Sequence, residues 1–238
     1  MADALSLLVA GPLAEPAGRI VRELAARGTS VATDPGRLGA DDRTVTLVVS
    51  DGPFVFDLGG LVRSLGERSF RILILSRLGA HPDAKLASLQ RLWRLEEHAR
   101  GGGAPTLTLR LAPVVGPETP LWRMLRTRPA LPGGGSRLVD PVHEGDVVET
   151  LERALDGRAV WQGWYELAGP ERFSWQELSD LAVASGGPRN GAAWEPSLDE
   201  IAEHRLAESE PWTSHFGITP TPIAAWMAKH PSGAGGMA

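Results

Sequence analysis

The chain has 238 residues, of which 42% are hydrophobic and 22% charged, and its formal net charge at pH 7 is −5. The absence of cysteine excludes disulfides, thiolate nucleophiles and cysteine-ligated metal sites, and the acidic balance argues against a nucleic-acid-binding face. No apolar run reaches the ~18 residues of a membrane span, and the first residues lack the pattern of a secretory signal, so we expect a cytoplasmic globular protein.

The first half of the sequence alternates short apolar strands with helices. Strands are predicted at residues 5–10, 30–33, 45–50, 71–76 and 106–110, with helices at 19–27, 58–65 and 84–100. Continuous apolar runs are typical of parallel strands buried on both faces, and strand–helix–strand units imply right-handed crossovers. The fold class is therefore predicted as α/β, with a doubly wound Rossmann-like parallel sheet and a small C-terminal lobe.

The second half is less regular and carries seven of the eight tryptophans. Helices are predicted at residues 121–128, 146–155 and 174–185, with a short strand at 164–167. We divide the chain into a Rossmann-like domain (1–117), a mixed lobe (118–231) and a tail (232–238). The lobe is expected to cover the carboxyl ends of the strands, where α/β sheets form their ligand crevice.

Several segments resemble the extended and atypical short-chain dehydrogenases of the NAD(P)-dependent epimerase/dehydratase type. Residues 109–117 resemble the family's Leu-Arg-Pro-x-x-Val-Tyr-Gly-Pro, and residues 141–147 its Pro-Val-His-Val-x-Asp-Val. Residues 165–171 resemble the start of its substrate lobe, and Ser76 ends a strand where the family has its catalytic serine. The branches that look most similar are the nitrogen-metabolite-repressor-like proteins and the complex-I accessory subunits. The resemblance implies a Rossmann fold and NAD(P) as cofactor.

The redox residues of that family are not matched. The family uses Tyr-x-x-x-Lys on one helix, where the ammonium lowers the pKa of the phenol one turn away. The only tyrosine here is Tyr165, and Gly169 follows at the lysine spacing. On the corresponding helix Ser88 and Leu92 take the two positions. A shift of one residue offers Arg91, which does not deprotonate and still has no tyrosine partner.

The phosphate-binding loop is also altered. The family's Gly-x-x-Gly-x-x-Gly is reduced to Gly11 and Gly18, one residue too far apart, and Pro12 and Pro16 each remove a backbone N–H that such a loop would offer. Pro16 is predicted as the first helical residue and Glu15 as the helix cap, which would repel a phosphate. We therefore expect no cofactor, with NAD(P) as the alternative.

A shortened segment follows the second strand. Asp34 stands where an acidic residue would hold a ribose hydroxyl, and Arg37 could meet a 2′-phosphate. The alternative is that Asp-Pro-Gly at this point simply forms a turn.

Three polar residues are candidates for catalysis. Ser76 could hydrogen-bond a substrate carbonyl, or it could be a remnant of the fold that caps the following loop. His81 could approach Ser76 as a Ser/His pair, although no acid stands out as a third member. His143 lies in a motif that is mostly structural in the family and fastens the lobe. No His, Asp or Glu cluster has ligand spacing, so no metal site is expected.

Three functions remain open. The first is a non-redox pseudoenzyme that acts as an accessory, scaffold or regulatory subunit by binding a protein partner or larger assembly. The second is a cyclase, isomerase or dehydratase that binds an apolar small molecule in a crevice lined by Trp122, Trp161 and Trp164. The third is an atypical NAD(P)-dependent reductase. The arginine-rich stretch 123–128 could meet an acidic partner.

Overall fold

A computed structural model describes residues 6–9, 13, 16–38, 44–50, 60, 63, 65, 69–186, 201 and 203–229. Gly11, Pro12, Glu15, most of the predicted helix at 58–65 and the tail at 232–238 lie outside these residues. The chain divides into two compact units, the first formed by residues 1–110 and 150–165 and the second by residues 111–149 and 166–238.

The first unit is built on a six-stranded parallel sheet in the order β2-β1-β3-β4-β5-β9. Its strands are β1 (Ser6–Val9), β2 (Ser30–Ala32), β3 (Thr44–Ser50), β4 (Ser69–Arg77), β5 (Thr106–Leu111) and β9 (Trp164–Leu167). The chain passes from β1 outward to β2 and then returns to β3 on the other side of β1, which is the strand order of a doubly wound fold. The α/β prediction is confirmed.

Strand β9 completes this sheet. Residues 164–167 are predicted from the sequence to lie in the C-terminal lobe, whereas the structure pairs them with β5 at the sheet edge. Thr106 and Thr108 donate backbone hydrogen bonds to the carbonyls of Trp161 and Gly163, so the two strands run parallel. A pairing between segments about fifty residues apart cannot be read from local spacing.

Two helices of the first unit follow from their apolar stripes. In α1 (Ala17–Ala26) the buried residues Ile20, Val21 and Leu24 recur at helical spacing, and the helix is followed by Gly28 at a φ of 99°. The sequence predicts Pro16 as the first helical residue and Glu15 as the cap. In the structure Pro16 is itself the N-cap, so α1 begins one residue later than predicted. Helix α2 (Ala87–Gly101) buries the stripe Leu89, Leu92, Glu96 and Ala99.

One face of the sheet packs against α2. The cluster includes Leu8 of β1, Leu47 of β3, and Ile72 and Ile74 of β4, together with Ala99 of the helix. Each fully buried aliphatic side chain of this kind contributes about 1.5–3 kcal/mol relative to exposure. This packing holds α2 against one face of the sheet.

The second unit has two small sheets and four complete helices among its described residues, and a fifth helix begins in it and ends with residues of the first unit. Strands β6 (Val114–Val115) and β8 (Val142–His143) are parallel, and β7 (Leu138–Val139) and β10 (Phe173–Ser174) are antiparallel. The helices are α3 (Pro120–Leu125), α4 (Glu144–Arg153), α5 (Trp175–Ala184), α6 (Glu210–Phe216) and α7 (Ile223–Lys229). The core between them contains Trp122, Trp175 and Trp226. None of the helices in the described ranges is long and apolar enough to cross a membrane.

Gly169 tests the packing of the second unit. A β-carbon at this position would overlap the backbone carbonyl oxygen of Pro141, and a backbone atom cannot move aside as a flexible side chain can. We expect Gly169→Ala to lower the free energy of unfolding by about 1–3 kcal/mol in urea denaturation. Gly101→Ala is the matched control, because a β-carbon there meets open space at the end of α2. It should leave stability unchanged or raise it by roughly 0.5–1 kcal/mol; equal losses in both variants would contradict the packing.

Candidate functional site

Ser76 lies near the carboxyl end of β4 and is buried, with 1% of its surface exposed. Its hydroxyl donates a 2.6 Å hydrogen bond to Oε1 of Glu96 on α2, a residue with no exposed surface. The hydroxyl proton that a substrate carbonyl would require is therefore directed at a carboxylate inside the protein.

The Glu96 carboxylate is neutralised by Arg110 on β5. Nη2 of Arg110 lies 2.7 Å from Oε2 of Glu96, and Nε lies 3.2 Å from Oε1, so the contact is bidentate. Arg100, one turn further along α2, has Nη2 3.7 Å from Oε2. Removing a carboxylate from water costs several kcal/mol unless such partners replace its hydration. Ser76, Glu96 and Arg110 are named the Glu96 network below.

His81 is not joined to Ser76. Its side chain is 64% exposed, and Nδ1 accepts a hydrogen bond from the backbone N–H of Asp83. Among the described residues the hydrogen bond of Ser76 goes to Glu96 and none goes to His81. The geometry thus does not bring together the predicted Ser/His pair.

The two positions where the family has its Tyr and Lys carry Ser88 and Leu92 in this chain. Leu92 is 1% exposed and packs with Ala80 and Leu89, while Ser88 is half-buried at the start of the helix. Tyr165, the only tyrosine, lies on β9, and partial burial raises the pKa of its phenol. This direction is opposite to the one that a proton relay requires.

The predicted cofactor-binding residues lie at the start of α1 and after β2. Gly18 is buried in the first turn of α1. Pro16, the N-cap of the same helix, has no backbone N–H to donate to a phosphate. Asp34 accepts a 2.8 Å hydrogen bond from the backbone N–H of Gly36, and Arg37 is exposed within the short 3-10 helix Pro35–Arg37. Asp34 therefore acts as a turn residue. Among these residues, Pro16 and Asp34 fit a nicotinamide dinucleotide poorly, because Pro16 has no backbone N–H and the carboxylate of Asp34 is engaged in its own turn.

In the second unit, the motif that contains His143 is fastened to the last described helix. The ring of His143 lies 5.1 Å from that of Trp226, and its Nδ1 accepts a hydrogen bond from the backbone N–H of Gly145. Asp146 accepts hydrogen bonds of 2.8 and 2.6 Å from the backbone N–H and the hydroxyl of Thr221. Burial raises the pKa of Asp146, although the hydrogen bonds from Thr221 act in the opposite direction. These contacts support the fastening role considered for His143.

Within the described ranges, no group of three or more His, Asp or Glu side chains is arranged to hold a metal ion.

Glu96 is the residue of this site that the sequence analysis missed. A signal for it was present: Arg110 stands inside the apolar strand Leu109-Arg-Leu111, and a cation in a buried strand needs a carboxylate nearby. The sequence does not say which of the many acidic residues supplies that carboxylate.

The architecture is shared with several solved structures, among them one in complex with NAD and one NAD-dependent enzyme. MoeE5 in complex with UDP-glucose and NAD matches with a TM-score of 0.63 and 18% identity over 94% of this chain and 97% of that chain. The Helicobacter pylori ADP-L-glycero-D-manno-heptose-6-epimerase matches with a TM-score of 0.61 and 11% identity over 96% and 95%. The NAD-dependent NDP-hexosamine 5,6-dehydratase TunA matches with a TM-score of 0.54 and 16% identity over 95% and 96%.

No protein-family model and no curated protein matches the sequence. The structural matches show that the chain has the fold of the NAD-dependent epimerases and dehydratases, which confirms the resemblance at the level of the fold.

The Glu96 network can be tested by stability. We expect Glu96→Gln to lower the free energy of unfolding by about 3–5 kcal/mol, because it leaves the Arg110 guanidinium without its counter-charge. Glu97→Gln removes a carboxylate from the adjacent, exposed position of α2 and should cost at most ~1 kcal/mol. Urea denaturation of both variants measures the difference. Similar small losses would show that the network contributes no more than a surface ion pair.

Asp146 predicts a pH dependence with a defined sign. Since burial raises its pKa, the folded state holds the proton more tightly than the unfolded state does. The contribution of Asp146 to the free energy of unfolding should therefore fall as the pH rises from the ordinary aspartate pKa towards the raised value. Urea denaturation of wild type and Asp146→Asn between about pH 3 and pH 7 isolates this contribution as their difference. A difference that is flat, or that grows with pH, would contradict the burial of the carboxylate.

Proposed function

We propose that this protein keeps the epimerase/dehydratase fold without its redox chemistry, as a pseudoenzyme that acts as an accessory, scaffold or regulatory subunit through protein–protein binding. The Glu96 network is the observation that carries the proposal. In the resemblance, Ser76 takes the place of a catalytic serine, yet its hydroxyl is buried and donates to a carboxylate that Arg110 already neutralises.

The neighbouring positions support the same conclusion. A proton relay needs a phenol of lowered pKa beside a cation, whereas Leu92 places a buried aliphatic side chain at the lysine position. Leu92 carries no charge and is only 1% exposed, so its side chain can neither replace the lysine nor reach a substrate.

The residues near the predicted dinucleotide site also favour the proposal. The solved structures with this fold include one that holds NAD together with a nucleotide sugar. In this chain Pro16 withholds a backbone N–H at the start of α1, and the Asp34 carboxylate caps its own turn. Both residues therefore disfavour the binding of a dinucleotide.

The non-redox enzyme has less support than the pseudoenzyme. A cyclase, isomerase or dehydratase would need acid–base groups at a shared site, and the candidates were Ser76, His81 and His143. Ser76 is committed to Glu96, and His81 is an exposed side chain held by the turn at Asp83. The reductase would need both the cofactor and a proton donor that the described residues do not supply.

Calorimetric titration with NAD⁺, NADH, NADP⁺ and NADPH tests the proposal. We expect no heat of binding up to about 1 mM, which corresponds to a binding free energy weaker than about −4 kcal/mol. Micromolar affinity for any of the four would overturn the proposed function. Purification of the protein from its natural source tests the second half, since we expect a stoichiometric protein partner; a lone monomer with turnover of a small molecule would favour the enzyme instead.

A further inference from the structure

Two exposed side chains of the second unit, Arg137 and His204, face each other. Nη1 of Arg137 lies 3.3 Å from Nε2 of His204. On the other side of the ring, Nδ1 of His204 accepts a 3.0 Å hydrogen bond from the backbone N–H of Leu138. The protonation of the imidazole therefore decides what the contact with Arg137 is.

The hydrogen bond from Leu138 assigns the tautomer of His204. A neutral imidazole carries one N–H, and the nitrogen that accepts a hydrogen bond is the one without the proton. Because Nδ1 accepts from Leu138, the proton lies on Nε2. A guanidinium has only donors, so the contact between Arg137 and Nε2 joins two N–H groups and is not a hydrogen bond. An acceptor placed beside both groups would satisfy them together.

Backbone hydrogen bonds hold both residues in place. The carbonyl of Arg137 accepts a 3.0 Å hydrogen bond from the backbone N–H of Trp175. Arg205, which follows His204, donates its backbone N–H to the carbonyl of Leu138 at 2.9 Å. The two chain segments are thus positioned before a ligand arrives, and such positioning reduces the entropy lost on binding.

The carboxylates that lie closest along the chain are engaged by other arginines. Oε2 of Glu203 lies 3.1 Å from Nη1 of Arg205. The carboxylate of Asp140 makes a bidentate contact with Arg172, at 2.8 and 2.9 Å. Within the described part of the chain, no carboxylate lies within ion-pair distance of the Arg137 guanidinium. The pair of side chains therefore offers two N–H donors and one positive charge that no described acid balances.

We propose that Arg137 and His204 form a binding site for an oxyanion, a carboxylate or a phosphoryl group, whose oxygens accept hydrogen bonds from Nη1 of Arg137 and from the Nε2–H of His204. Hydrogen bonds between a guanidinium and an oxyanion are shorter and stronger than those between neutral groups. The inference goes beyond the proposed function, because it assigns a ligand chemistry to the second unit and uses none of the catalytic or cofactor positions.

The tautomer is the first part of the test. Long-range ¹H–¹⁵N correlation spectra of the full-length protein at pH 8 resolve the imidazole rings of its six histidines. His204→Ala identifies the ring of His204 by the signals that it removes. We expect that ring in the Nε2–H form. The Nδ1–H form, or an average of the two tautomers, would overturn the proposal, because the contact with Arg137 would then not join two donors.

Binding is tested by following the ring signals of His204 in separate titrations with inorganic phosphate and with acetate, against sodium chloride at matched ionic strength. We expect saturable shifts with a Kd of about 1–10 mM for at least one of the two anions. Tighter binding of phosphate would assign the site to phosphoryl groups, and tighter binding of acetate would assign it to carboxylates. Arg137→Gln should weaken binding at least roughly tenfold. Arg94→Gln, the matched control, removes the same charge from an exposed position of α2 and should leave the Kd unchanged.

The proposal is also overturned if neither anion gives a saturable shift up to about 50 mM, if chloride gives the same shift, or if Arg94→Gln weakens binding as much as Arg137→Gln. Thermal unfolding checks that each variant folds. If Arg137→Gln does not, His204→Ala gives a second measure: followed through the backbone N–H of Leu138, it should lose anion binding by a similar factor. The nucleotide titration is independent, because micromolar NAD(P) binding that Arg137→Gln leaves unchanged would contradict only the proposed function.

Discussion

The buried carboxylate of Glu96 is the constraint on which the first unit depends. Its negative charge lies on the inward stripe of α2, between two leucines and an alanine of the same helix, where an unpaired charge would be strongly destabilising. Arg110 from β5 and Ser76 from β4 meet this requirement together. One ionic group thus ties a helix to two neighbouring strands and fixes the helix rotation more tightly than aliphatic packing alone.

The same constraint bears on the positions where the resemblance would place a Tyr-x-x-x-Lys pair, which the sequence lacks. Four positions of α2 face inward, and in this chain three are aliphatic while the fourth is Glu96. In the resemblance, the tyrosine and lysine of a proton relay would stand at positions 88 and 92 of this helix, on or beside the stripe, with their side chains directed at a ligand. Here the stripe packs against the protein interior, with Leu92 buried. The hydroxyl of Ser76, near the end of β4, donates its hydrogen bond to Glu96. Under the proposed function, these positions contribute to stability and not to a reaction.

The sequence predicted the strands and the class of fold because buried parallel strands leave continuous apolar runs, and it identified the missing Tyr–Lys pair from residue types alone. It did not reveal the Glu96 network, since a lone Arg110 in an apolar strand requires a carboxylate without saying which one. Nor did it place residues 164–167 in the central sheet, because that pairing joins distant segments. Asp34 was left between two readings, and the hydrogen bond from Gly36 favours the turn.

The two ends of β4 carry different polar groups. Arg71 is the third residue of β4 and Ser76 the eighth, so their α-carbons lie roughly 16 Å apart along an extended chain. Ligands of α/β folds bind at the carboxyl ends of strands, which is the end that Ser76 marks. Arg71, at the other end, donates a hydrogen bond to the hydroxyl of Thr46 and stacks on the ring of Trp161. The contacts that Arg71 makes within the sheet are therefore independent of whether the carboxyl end of β4 binds a ligand.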